Sequence, residues 1–284
     1  MRSICTLEAT HACGKYHHPI DVIIMKRLPP IHTFLVLSLL FISACGGGGS
    51  GESADTPSSD APAEAAADST PLGSASISGT ISFEGTAPAM PTVRMNRECS
   101  EVSEGHKALN VVVNENGTLK NVFVHITAGL PDGYSYASPS EPVVFDQHGC
   151  MYIPHVFGVQ VGQEIKVLNS DPFLHNLHAL AEKNRPFNFG MPKQGDERLH
   201  SFRVTETMLK IKCDVHPWMG AYAGVVDHPY YSVSGDDGNF AIADLPAGTY
   251  TVTAWHEEYG ESVQTVTISD GESANISFSF ASAS

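Results

Sequence analysis

What most restricts the fold of this chain is the spacing of its apolar residues. They alternate with polar ones over short stretches, as in Ile77, Gly79, Ile81 and Phe83, then Val122, Val124 and Ile126, and later Ile276, Phe278 and Phe280. A period of two suits a half-buried strand, whereas a helix needs apolar positions three and four apart. The stretches are broken by turn formers, for the 284 residues include 25 Gly and 18 Pro. The pattern predicts an all-β protein with one or two cored domains plus tails.

The strongest apolar block, Phe34 to Ile42, is too short to cross a bilayer as a helix, which takes about 20 residues. It reads as the apolar part of an export leader, with Met25-Lys26-Arg27 as its basic start. Ile42-Ser43-Ala44-Cys45 resembles the lipobox of bacterial lipoproteins, which implies acylation of Cys45 and anchorage to a bacterial membrane, facing the periplasm or cell surface. The alternative is an ordinary secretory leader with an incidental Cys. Residues 1–24 precede a better start at Met25 and are expected to reflect a mis-assigned initiation site, in which case Cys5 and Cys13 carry no meaning. The signal peptide is then 25–44, and 45–75, rich in Gly, Ser, Ala, Pro and acidic residues, reads as a flexible tether.

The formal charge is −15, and loss of residues 1–44 makes the remainder more acidic still. Such a surface repels phosphate backbones, which argues against nucleic acid and favours basic partners.

The chemistry concentrates in Cys213-Asp214-Val215-His216-Pro217-Trp218-Met219 and in His175-Asn176-Leu177-His178. Two imidazoles, a thiolate and a weak axial thioether form the donor set of a mononuclear type 1 copper centre, so His175, Cys213, His216 and Met219 are the candidate ligands. His178 is an alternative to His175. Structural zinc fits poorly, because it prefers Cys and His in fours and no Cys-x-x-Cys is present.

Around these residues, the run from Val143-Val144-Phe145-Asp146 through Val159 to Ile165 and on to Asn169-Ser170-Asp171 resembles the cupredoxins. The short Cys-x-x-His-x-x-Met loop looks amicyanin-like rather than plastocyanin-like. The resemblance covers residues 141–228 and implies a Greek-key barrel or sandwich, with Asn176 outside the ligand set locking the two ligand-bearing segments together. It also implies that Pro217 and Trp218 form an apolar collar around an exposed edge of His216, where electrons enter and leave. With Cys45 acylated, Cys99, Cys150 and Cys213 remain, and an oxidising compartment would pair two of them. Cys99 with Cys150 is the expected disulfide, since it leaves Cys213 for metal.

Gly235-Asp236-Asp237-Gly238-Asn239-Phe240 and Leu245-Pro246-Ala247-Gly248-Thr249-Tyr250 resemble the peptidase regulatory-like, transthyretin-like sandwich, also met as an accessory domain of rhamnogalacturonan lyases. Residues 229–284 are few for an independent sandwich. The expected arrangement packs strands of 76–140, with a turn at Asn116-Gly117 and strands at Ile77–Phe83, Asn110–Val113 and Asn121–Thr127, against 229–284. Two domains in series is the alternative.

No nucleophile constellation, phosphate loop or paired-carboxylate arrangement stands out, so no enzyme activity is expected. The expected function is single-electron transport by a tethered copper protein, with a c-type cytochrome or a dehydrogenase of the envelope as redox partner. A copper delivery or sensing role is a second reading, motivated by Met90, Met95, Met151, Met191 and the extra histidines. A third is a carbohydrate-binding or adhesion module using Trp255 and Tyr259. His155, His228 and His256 are read as structural or interdomain.

Overall fold

The computed structural model describes residues 73–282. The expected leader, Cys45 and nearly all of the tether lie outside them. Within them the chain first forms β1 (Ala75–Glu84), the short helix α1 (Arg97–Val102) and β2 (Phe123–Ala128). The middle block supplies β3 (Val143–His148), β4 (Met151–Ile153), β5 (Val156–Gln160), β6 (Glu164–Asn169) and β7 (His175–Ala179). It continues with β8 (Phe187–Met191), β9 (Glu197–Ser201), β10 (Glu206–Lys212) and β11 (Gly220–Val226). Last come β12 (Tyr231–Val233), β13 (Asn239–Leu245), β14 (Gly248–His256), β15 (Gly260–Ile268), β16 (Ser273–Asn275) and β17 (Phe278–Ala281). The protein is all-β apart from α1 among the described residues, and no helix there is long and apolar enough to cross a membrane.

Strands of the middle block form two sheets, β4-β3-β6-β9 and β5-β11-β10-β7-β8. Both face one apolar core that includes Phe145, Phe157, Ile165, Leu177, Ile211 and Val225. Alternation builds it: along β6, Ile165 and Val167 are fully buried while Glu164 faces solvent. A second sandwich has the sheets β13-β1-β16, with β17 also on β1, and β12-β2-β14-β15. Strands from before and after the middle block share it. β1 pairs antiparallel with β13 and parallel with β17, and β2 pairs with both β12 and β14. Its core holds Ile77, Ile81, Val124, Ile126, Phe240 and Val252.

The two sandwiches meet at Phe123, Val156 and Val226. Gly158 of β5 lies opposite Gly224 of β11, and the absence of side chains there makes room for rings from the other sandwich. A Cβ on Gly224 would stand 2.4 Å from the Phe123 ring, and one on Gly158 would stand 2.2 Å from Tyr231. Gly224→Ala is therefore expected to cost about 1–3 kcal/mol through overpacking. Thermal unfolding should show a melting temperature lowered by several degrees, and an unchanged value would refute this account.

Asn110–Val113 is not a strand. Val113 makes one isolated bridge to Leu119, and Asn114 through Thr118 close a turn in which Gly117 has φ 79°. Asn114 Nδ2 donates to the Thr118 hydroxyl and the Gly235 carbonyl at 2.9 and 3.1 Å, contacts that compete with a ladder.

Two histidines of the second sandwich are buried, His125 on β2 and His256 at the end of β14. Burial drives each down to about 4, with His228 adding to the effect on His125; for His256, Glu257 opposes and His155 adds. His256 Nδ1 accepts from the Glu258 amide at 3.2 Å, as a neutral imidazole can. The unfolded chain takes up protons first, so their contribution is present above pH ~6.5 and is lost as pH falls from ~6.5 towards ~4. At pH 5 the loss is about 2 kcal/mol per histidine. Denaturant unfolding at pH 7 and pH 5 measures it, and His256→Gln should shrink the difference.

Candidate metal centre

The site is built where β6 ends and β7 begins, and on the loop joining β10 to β11. Asn169 closes the first segment: its Oδ1 accepts from the Asp171 amide at 3.0 Å, and its Nδ2 donates to the carbonyls of Phe173 and Met191 at 2.9 and 2.8 Å. This directs His175, the first residue of β7, into the interior, where it is fully buried. The second segment is pinched shut by the Cys213 amide on the Met219 carbonyl at 3.2 Å and the Met219 amide on the His216 carbonyl at 2.9 Å. Cys213, His216 and Met219 are all buried, at 2, 1 and 1 % exposure.

Ligand atoms of His175, Cys213 and His216 lie within 4.8 Å of one another. His175 Nδ1 and His216 Nδ1 face each other at 2.9 Å, and the Cys213 sulfur is 3.9 Å from His216 Nδ1. His175 Nε2 is 2.8 Å from Asp171 Oδ2, which fixes its proton on Nε2 and turns the Nδ1 lone pair to the cluster. Asp171 is itself held, accepting the amides of Gly149 and Cys150 at 2.8 Å each. Asn176 Oδ1 joins the two segments, accepting from the Asp214 amide at 2.7 Å and the Cys213 thiol at 3.2 Å.

The electrostatics move Cys213 towards thiolate and keep His216 neutral. Burial alone would raise the Cys213 thiol, but hydrogen bonding by His175 and by the backbone of Asn176, His216 and Val215 brings it below its usual value. Burial also opposes a proton on His175, yet Asp171 and Cys213 overcome it and raise its basicity. His216 falls to about 4 through burial and the neighbouring His175, against a smaller pull from Asp171. Two inward-facing imidazole nitrogens and a sulfur fit a borderline-to-soft transition metal, and a nearby thioether on Met219 fits copper better than structural zinc. Met219 shares the buried core of Cys213 and closes the same loop.

His178 is turned elsewhere. Its Nδ1 lies 2.9 Å from Asp214 Oδ2, on a partly exposed face. Pro217 is exposed and Trp218 half-buried beside His216, with ring centroids 5.2 Å apart. The expectation of an exposed His216 edge is corrected: the residue is 1 % exposed, walled by Trp218, by Phe173 and by sulfur from Cys99 and Cys150. Trp218 helps close that wall, since its Nε1 donates to the Cys150 carbonyl at 3.0 Å. Cys99 and Cys150 are disulfide-bonded and Cys213 is free.

Of the remaining histidines, His228 accepts the Tyr230 amide on Nδ1 at 3.2 Å and sits with Nε2 3.0 Å from the Ile126 carbonyl, a structural tie. His155 bridges the sandwiches, with Nδ1 2.9 Å from the Gly220 carbonyl and Nε2 on Glu257. Trp255 packs at the junction beside Tyr222, centroids 5.1 Å apart, and Tyr259 stacks on His256. Asp171, which the sequence offers only as the end of the Asn169-Ser170-Asp171 run, holds His175 from four residues upstream.

The Carboxypeptidase regulatory-like domain model matches residues 223–281. No curated protein matches the chain. Solved structures similar to it include a copper-containing nitrite reductase from Thermus scotoductus SA-01, at 21% identity and TM-score 0.28, over 36% of this chain and 26% of that one. The chain thus spans far less than two thirds of that reductase. A purple cupredoxin from Nitrosopumilus maritimus is 21% identical with TM-score 0.25, over 29% of this chain and 98% of its own. A variant of amicyanin is 19% identical with TM-score 0.27, over 36% and 97%.

Proposed function

We propose that the chain is a type 1 copper protein that carries single electrons between envelope redox proteins, tethered through a lipid on Cys45. The observation that carries this reading is the convergence of His175, Cys213 and His216 in a buried cluster. Those three residues would hold the metal, with Met219 as the weak fourth ligand. Bound copper would supply a one-electron couple between cuprous and cupric states. The chain's own residues do the rest. Asp171 keeps the His175 proton on Nε2, Asn176 ties the Cys213 loop to β7, and burial excludes water, so the donors need little rearrangement on a change of charge. Partners in this reading are a c-type cytochrome or a dehydrogenase.

Titration of the purified chain with Cu(II) tests it. One equivalent should bind, with an intense thiolate-to-copper absorption in the visible and a reversible one-electron wave. Bound copper without that absorption would overturn the reading.

One observation favours copper delivery or sensing as a second reading: His216, the expected route for electrons, is sealed from solvent. Metal that leaves the chain during redox cycling, rather than staying bound, would select it.

A further inference from the structure

The disulfide lies against His216. Gly149 and Cys150 form the two-residue loop between paired His148 and Met151, both with positive φ, 60° and 56°. A primed turn of this kind favours Gly or Asn, and Cys is a poor fit to the left-handed region. The turn puts both loop amides on Asp171 and carries the Cys150 sulfur to the Asp171 and His175 side of the candidate site. Sulfur from Cys99 and Cys150 and a ring nitrogen of His216 lie within 4.8 Å of one another, and Cys150 is as close to Asp171 and His175. All of these residues are buried. His216 Nδ1 is occupied with His175 and Cys213, whereas its buried Nε2 has no hydrogen-bond partner.

We propose that Cys99 and Cys150, once reduced to a dithiol, form with His216 a second site for a soft monovalent metal ion such as Cu(I), adjoining the His175, Cys213 and His216 set. This rests on the reading above only for the identity of the metal. As a disulfide the pair offers no thiolate and seals His216. Reduction by a dithiol breaks the Cys99–Cys150 bond, moves two electrons and two protons onto the sulfurs, and leaves the reductant as its own disulfide. Binding of Cu(I) then releases the thiol protons and oxidises nothing. Thiolate is the soft donor that Cu(I) prefers, and imidazole completes the set. The fold allows the change, because Cys99 is the one buried residue of α1, so opening the S–S bond frees the covalent anchor of a six-residue helix.

The test uses the full chain carrying His175→Ala and Cys213→Ser, which removes the first donor set. It is titrated with Cu(I) against a chromophoric chelator before and after treatment with a phosphine reductant. One additional equivalent should bind after reduction, with two sulfur neighbours in the metal's X-ray absorption spectrum, and it should be lost on adding Cys150→Ser. His216→Ala, which keeps both thiols, should weaken uptake and guards against misfolding of the Cys150 variant. Equal uptake before and after reduction, or uptake indifferent to both Cys150 and His216, overturns the proposal. The visible band of the unsubstituted chain with Cu(II) is a separate readout: its presence without dithiol uptake sinks this proposal alone, and its absence with dithiol uptake sinks the electron-carrier reading alone.

Discussion

Cys213→Ser is expected to give a folded protein whose copper complex has no intense visible absorption. The hydroxyl is smaller than the thiol and still able to donate to Asn176 Oδ1, where the thiol now sits at 3.2 Å, so the packing cost is modest, about 1 kcal/mol. The metal chemistry changes far more. A serine oxygen is a hard donor and supplies neither the covalent sulfur bond nor the preference for Cu(I). Affinity for Cu(I) should fall by more than the roughly 100-fold that loss of an outer hydrogen-bonding residue can produce. Chelator competition and the visible spectrum measure both effects. Retention of the band in the serine variant would remove Cys213 from the site.

The second large effect is expected at Asp171. Its carboxylate is 2 % exposed and accepts from His175 Nε2 and from the amides of Gly149 and Cys150, each at 2.8 Å. Asp171→Ala leaves two buried amides without partners, at about 1–3 kcal/mol each, and frees the His175 ring to turn. Metal affinity should drop by about 10- to 100-fold. Asp171→Asn keeps the shape and separates the two effects, because its oxygen can still accept an amide while the charge opposite His175 is gone. The pH dependence has a definite sign. Burial alone would raise the Asp171 carboxyl, but His175 and the two amides hold it below its usual value. Its contribution is therefore present above the unfolded carboxylate pKa, near ~3.9, and is lost as pH falls below that towards the folded value. A stability profile of Asp171→Asn should be flatter than that of the parent in this acid window. Metal affinity unchanged in Asp171→Ala would show that His175 is held by something else.

Much of the fold was legible because strand alternation is local. Ile77, Ile81 and Phe83 fall in β1, and Tyr250, Val252 and Ala254 are buried along β14 as their spacing implies. Asn110–Val113 misled because β-branched residues suit an extended backbone whether or not a partner strand is available. There the partner is a turn and a pair of Asn and Thr side chains, so extension without a ladder results. The donor types of the site and the short Cys-x-x-His-x-x-Met spacing were equally plain. The choice between His175 and His178 was not, since it depends on which one enters the core and which pairs with Asp214.

Local chemistry thus determined the strand period, the turn positions and the candidate soft and imidazole donors, because each depends on residues a few positions apart. Tertiary structure alone decided what lies against them. His216 meets His175 from 41 residues away only after β7 and the β10–β11 loop are packed, and Phe123 reaches Gly224 only across two sandwiches. Cys99 comes from 51 residues away to meet Cys150 over His216. Such contacts have no sequence period. They arise when sheets stack and bury distant side chains in one place, and that stacking turned an expected exposed histidine into a sealed one.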